Sequence, residues 1–257
     1  MAERFRALAA AAATVVLCAG SGRADVWDEI ASSRATGDFN CATTIVELVH
    51  GARQVHDLFA AELFPDRDWA RVQQRAHRSY EVRLTNSPLN LQGAAARRAC
   101  DGSLLTPAEA SPSGGVSIAW VSTGDEPTHI LTDAGFRTSG ANYQIQLLET
   151  TYAVPRFNNS ATQQTILVLQ NTRARVVTGV IQFFPAAGGA PIHLQAFTLP
   201  PRGLLVLNTS TLPALAGGSG SALVAHDGGY GALAGKAVAL EPGTGFTFDT
   251  PIVAKRY

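Results

Sequence analysis

Seven short runs crowd the last hundred or so residues: "QTILVLQNT", "VVTGVIQFFP", "PIHLQAFTLP", "RGLLVLNTS", "SALVAHDGG", "KAVALEP" and "GFTFDTPIV". They are apolar, mostly rich in β-branched residues, and are cut off by Gly, Pro, Asn, Asp or Ser, the punctuation of strands joined by tight turns. No helix-period segment lies between them, which argues against alternating strand–helix units and the parallel sheet those build. Seven strands in that space predict a β-sandwich. The apolar run from Ile166 to Leu169 predicts a strand covered on both faces. In "IHLQAFTL" the alternation changes phase between Ala196 and Phe197, which predicts a β-bulge.

The first half shows the same period of two. Tyr80, Val82 and Leu84 alternate with Glu81, Arg83 and Thr85. Val116, Ile118 and Trp120 share one face of their strand, as do Tyr143, Ile145 and Leu147. The stretch "ELVHGARQVHDLFAAELF" also carries helical spacing at Val55, Leu58, Phe59 and Glu62, and is read as strand. Pro155 and the Asn158-Asn159-Ser160 cluster interrupt the pattern and mark a boundary. The expected chain is all-β, with two jelly-roll-like or immunoglobulin-like sandwiches in tandem over residues 41–152 and 153–257, after a lead at 25–40.

Charge and termini narrow the function classes. Residues 25–152 hold 16 Asp and Glu against 10 Arg, a net −6, whereas 153–257 hold 3 acidic and 7 basic residues, a net +4. That shift supports two units, and with no aromatic-interleaved basic patch it argues against a nucleic-acid partner. Arg4 and Arg6 precede an apolar run, Ala7 to Leu17, too short to span a bilayer, and "SGRAD" offers a small-x-small cleavage site. Residues 1–24 are therefore expected to be a signal peptide, and the mature chain secreted, periplasmic or on the cell surface, with no transmembrane helix. Cys18 invites lipidation, but Leu17 stands where a lipobox wants a small residue.

With Cys18 removed, Cys41 and Cys100 form an even pair in an oxidising compartment, which predicts a disulfide. The alternative is two buried free thiols. No His or Cys at metal-ligand spacing accompanies them, so the sequence predicts no zinc site. The sequons at Asn158 and Asn208 read as turn residues.

The order of motifs "DRDW" (Asp66 to Trp69), "RSYEVRL", "CDGSLL", "SIAWVSTGDEPTHILTD" and "SGANYQIQL" resembles the bacterial pre-peptidase C-terminal domain over roughly residues 41–151. That resemblance implies a small jelly-roll-like sandwich of exported proteins. Here "RAHRS" replaces the family's Gly-containing turn, and Thr128-His129-Ile130 stands where aromatics are usual. The carboxyl-terminal half looks like β-rich modules that follow such domains, a likeness that implies no activity.

Few residues promise chemistry. Asp66 and Asp68 offer paired carboxylates to a calcium ion, as related collagen-binding sandwiches imply. The bland alternative, a turn in which each bonds its own backbone, is the reading adopted. Trp69 is out of phase with Ala70 and Val72, so its ring either faces outward, where it would stack on a sugar or grip a protein, or plugs the core. Among six histidines no HExxH spacing occurs. The "AGGSGSA" segment lacks the last glycine of G-x-S-x-G. His226-Asp227-Gly228-Gly229 reads as a hairpin turn. The expectation is an exported, non-catalytic binding protein for extracellular protein or polysaccharide, with calcium as its one possible cofactor. Its rivals are a self-assembling structural protein and a hydrolase built on His226 or His129.

Overall fold

The computed structural model describes residues 41, 44, 46–58, 66–85, 95–111, 114–135, 141–160 and 162–256. The expected signal peptide and lead lie outside these residues. Among the described residues no helix is long and apolar enough to cross a membrane.

The protein is all-β. Its strands are β1 (Arg53–Leu58), β2 (Asp66–Val72), β3 (Ser79–Thr85), β4 (Ala95–Arg98), β5 (Leu104–Pro107), β6 (Glu109–Ala110), β7 (Val116–Val121), β8 (Thr128–Gly135) and β9 (Ala141–Glu149). There follow β10 (Tyr152–Asn158), β11 (Gln164–Asn171), β12 (Val177–Pro185), β13 (His193–Leu199), β14 (Leu204–Asn208), β15 (Ser219–His226), β16 (Leu233–Glu241), β17 (Phe246–Pro251) and β18 (Val253–Ala254). They form four antiparallel sheets, ordered β1-β9-β3-β7-β6, β2-β8-β4-β5, β13-β12-β15-β10-β18 and β14-β11-β16-β17. Every strand pairing stays on one side of Thr150–Thr151, where the chain leaves the first pair of sheets for the second.

Each pair of sheets encloses a core. In the first, Tyr80, Val82, Leu84, Ile118, Trp120, Tyr143 and Ile145 meet Ala70, Val72 and Ile130 of the facing sheet. In the second, Phe157, Ile181, Phe183 and Val224 meet Leu167, Leu169 and Ala237. Phe157 and Phe183 pack edge to face at 5.5 Å. Large apolar side chains buried this fully contribute about 1.5–3 kcal/mol each, so alternation alone accounts for the inner faces.

Several expectations are corrected. The pairing of β12 with β13 runs without a register shift, Val180 opposite Ala196 and Gly179 opposite Phe197, so there is no bulge at that point. Phe197 and Leu199 continue the inward phase of His193 and Gln195, while Leu194 is an exposed residue of an edge strand. In β11 only Thr165, Leu167 and Leu169 of the apolar stretch are buried; Ile166 and Val168 lie half-exposed on an uncovered face. His226 to Gly229 does turn the chain, with Gly229 at φ 77°. It links β15 to β16, however, which belong to opposite sheets, so it is an arch between layers and not a hairpin. Asp66 and Asp68 belong to β2 itself rather than to a turn before it.

The first sandwich's polar face is not all solvent-facing. Glu81 and Arg83, outward on β3, are covered by the second sandwich, where the Arg83 guanidinium lies 5.7 Å from the centre of the Tyr230 ring. Beside them the Gln182 amide donates to the His77 carbonyl at 2.6 Å.

Candidate functional site

The period of two on β2 sorts its polar residues. Asp68 shares the inward phase of Ala70 and Val72 and is buried, accepting a hydrogen bond from the Tyr143 hydroxyl at 2.7 Å. That carboxylate sits among core residues of the first sandwich. The structure describes only the backbone of Asp66, at the first position of β2.

Trp69 takes the opposite face. It is half-buried, with its ring edge-on to His129 at 6.4 Å. The neighbouring Arg71 pairs with His129 across β2 and β8 and reaches Glu47 at 3.3 Å. Burial and the Arg71 charge lower the pKa of His129, which holds its ring neutral near pH 7. Against this patch sits the Cys41–Cys100 disulfide, with Cα atoms 5.3 Å apart. The Cys100 sulfur lies 3.6 Å from His129 Nδ1. Sequence spacing could not bring a histidine to the cysteine pair; the pairing of β8 with β4, one residue before Ala99-Cys100, does.

His226 is wholly buried against the Tyr152 ring. Its Nδ1 accepts from the Gly228 N–H at 3.2 Å, which places the remaining proton on Nε2. Desolvation lowers its pKa to about 3; the hydrogen bond to the Thr150 backbone works against it, and the Arg173 and Arg175 charges add smaller lowering contributions. A neutral imidazole closed in this way props the inter-sheet arch.

The sequons are local devices. The Asn158 and Asn208 side-chain oxygens each accept from the backbone N–H two residues on, at 3.1 Å in both cases.

A cleft that the sequence did not announce opens at one end of the second sandwich. It measures about 660 Å³ and is lined by Asn159, Ser160, Gln163, Gln164, Ser210 and Glu241, among others. Its floor is fixed from within: Asn159 accepts from Thr209 Oγ1 at 2.8 Å and donates to the Leu215 carbonyl. The hairpin between β16 and β17 forms one wall, with Thr244 donating to the Glu241 carboxylate at 2.7 Å. Phe246 stands directly opposite Glu241 in the register and shares its face. It is 62% exposed, and its ring lies 6.4 Å from that of Phe248, itself 40% exposed. Both rings lie on β17, the last strand of its sheet, whose residues are exposed apart from the partly buried Thr250. The signal available in the sequence was the Gly-rich "EPGTG" turn just before them.

Comparison with protein-family models and with curated proteins finds no match to this chain.

Proposed function

We propose that the protein is an exported, non-catalytic binding module for extracellular polysaccharide, with the cleft beside Phe246 as its site. The observation that carries this reading is a cleft lined by amide and hydroxyl groups and the Glu241 carboxylate, with the exposed Phe246 directly opposite Glu241 in the register. Hydroxyl-rich ligands offer both donors and acceptors to Asn, Gln and Ser, and the apolar face of a sugar ring stacks on an aromatic one. The motif order of the first half supports a sandwich like the pre-peptidase C-terminal domain as the neighbouring, positioning unit. The test is retention of the full chain on insoluble chitin, cellulose and peptidoglycan, with collagen as the protein competitor, each with calcium or a chelator. Retention on one polysaccharide, lost in Phe246→Ala/Phe248→Ala, supports the site. Loss with chelator marks a calcium requirement, and Asp66→Ala and Asp68→Ala then test those carboxylates as its ligands. Retention on collagen alone, or on nothing, overturns the polysaccharide reading.

A second reading has its own support. Leu204 and Val206 on β14 are 58% and 61% exposed and continue across the uncovered face through Val168 and Ile166. An aliphatic sheet face of this kind favours self-association. It predicts a concentration-dependent mass by sedimentation, lost in Val206→Lys.

A further inference from the structure

Away from the cleft, three potential ligands from distant segments meet on the outer face of the first sandwich. One ligand atom each from Cys41, Cys100 and His129 lie within 4.8 Å of one another. Cys41 and His129 are buried, while Cys100 is exposed.

The distances fit a coordination tetrahedron. Zinc–sulfur and zinc–nitrogen bonds of about 2.3 and 2.05 Å at the tetrahedral angle give a sulfur–nitrogen edge of roughly 3.5 Å and a sulfur–sulfur edge of roughly 3.8 Å. Cys100 Sγ and His129 Nδ1 are already 3.6 Å apart. The two sulfurs have to separate, each retreating by roughly an ångström from a disulfide bond of about 2.05 Å, while the Cys41 sulfur stays within the 4.8 Å that already holds all three ligand atoms. Of the two arginines opposite His129, Arg71 on β2 is paired with Glu47 and Arg98 on β4 donates to the Gly102 carbonyl.

We propose that Cys41, Cys100 and His129 form a redox-gated metal site: reduction of the disulfide releases two thiolates that, with His129 Nδ1, bind a zinc-class cation. The reductant is a dithiol. One of its thiolates attacks the exposed Cys100 sulfur and expels the Cys41 thiolate; its second sulfur then displaces Cys100. The S–S bond of the protein breaks, the reductant closes its own, and two electrons pass to the protein as two thiols. Binding of a divalent cation displaces their two protons. Two soft sulfurs and an imidazole select zinc, cobalt or cuprous ions over calcium and magnesium, so this site is chemically distinct from any calcium site on β2. Disulfide and metal complex are then alternative states of one locus.

The full chain, reduced anaerobically with a phosphine, is titrated with Co²⁺ alone. The expected result is one Co²⁺ per chain with thiolate-to-cobalt charge-transfer absorption, absent from the oxidised chain. His129→Ala, shown by near-ultraviolet circular dichroism to fold when oxidised, should bind at least about tenfold more weakly, a loss that even outer-shell partners of a metal site produce. A reduced chain that loses its near-ultraviolet signal and regains it with Co²⁺ also supports the site, because binding then drives folding. The proposal is overturned if no charge-transfer band forms, if cobalt restores no structure to an unfolded reduced chain, or if His129→Ala binds as tightly as wild type.

Discussion

The Glu81 carboxylate on β3 accepts a hydrogen bond from the backbone N–H of Tyr230, 149 residues further along the chain, at 2.8 Å. The same carboxylate is 3.0 Å from the Arg83 guanidinium and is only 3% exposed. A charge this buried has to be satisfied by its neighbours, and those neighbours come from both sandwiches. Gly229, at φ 77°, lets the arch close on it, since a Cβ there would stand 3.0 Å from the Glu81 carboxylate oxygen. Glu81→Ala therefore strands both Arg83 and the Tyr230 N–H and should cost about 3 kcal/mol in denaturant unfolding. Glu81→Gln keeps an acceptor and should cost less. Equal stability of Glu81→Ala and wild type would show that this contact does not couple the sandwiches.

His226 makes stability depend on pH with a definite sign. Its pKa is about 3 in the fold and 6.5 in the unfolded chain, so between those values only the unfolded chain takes up the proton. Stability is then highest above pH 6.5 and falls on acidification, by up to about 1.4 kcal/mol per pH unit. Between pH 7 and pH 5 the wild type should lose about 2 kcal/mol more than His226→Gln. Parallel pH profiles for the two chains would remove His226 as the cause.

The Cys41–Cys100 bond joins residues 59 apart. In the chain-entropy model such a loop is worth about 4 kcal/mol. Cys100→Ser should lower the melting temperature by on the order of 10 °C. A shift of only a degree or two would mean that the unfolded chain is little constrained by the bond.

His77 occupies a left-handed conformation, φ 56°, in the "RAHRS" turn between β2 and β3. Side chains pay roughly 1–2 kcal/mol in that region, and glycine does not. The contacts of this residue that hold the turn are backbone ones, to Ser122 at 2.8 Å and from Gln182. His77→Gly should accordingly raise stability by up to about 1 kcal/mol, the gain being trimmed by the flexibility glycine adds to the unfolded chain. A destabilised variant would point to an imidazole role that the backbone contacts do not explain.

Local alternation was enough to determine the strands and their inner faces. Val116, Ile118 and Trp120, or Tyr143, Ile145 and Leu147, are buried because a period of two leaves an apolar row with only one place to go. The turn chemistry of Asn158 and Asn208, and the cysteine pair, were legible for equally local or arithmetic reasons. The other face of each strand was not, because what covers it arrives from far along the chain. Glu81 reads as a solvent residue and is buried by Tyr230's segment; Ile166 reads as core and is left half-exposed because, among the described residues, no second layer covers that face. Phe246, within a strand-like run, is left exposed opposite the cleft residue Glu241 because its strand is the sheet's edge. His129 comes to the cysteines only through the register of β8 against β4. Periodicity encodes which residues share a face; only the packing of distant layers decides which faces meet water, a partner or a metal.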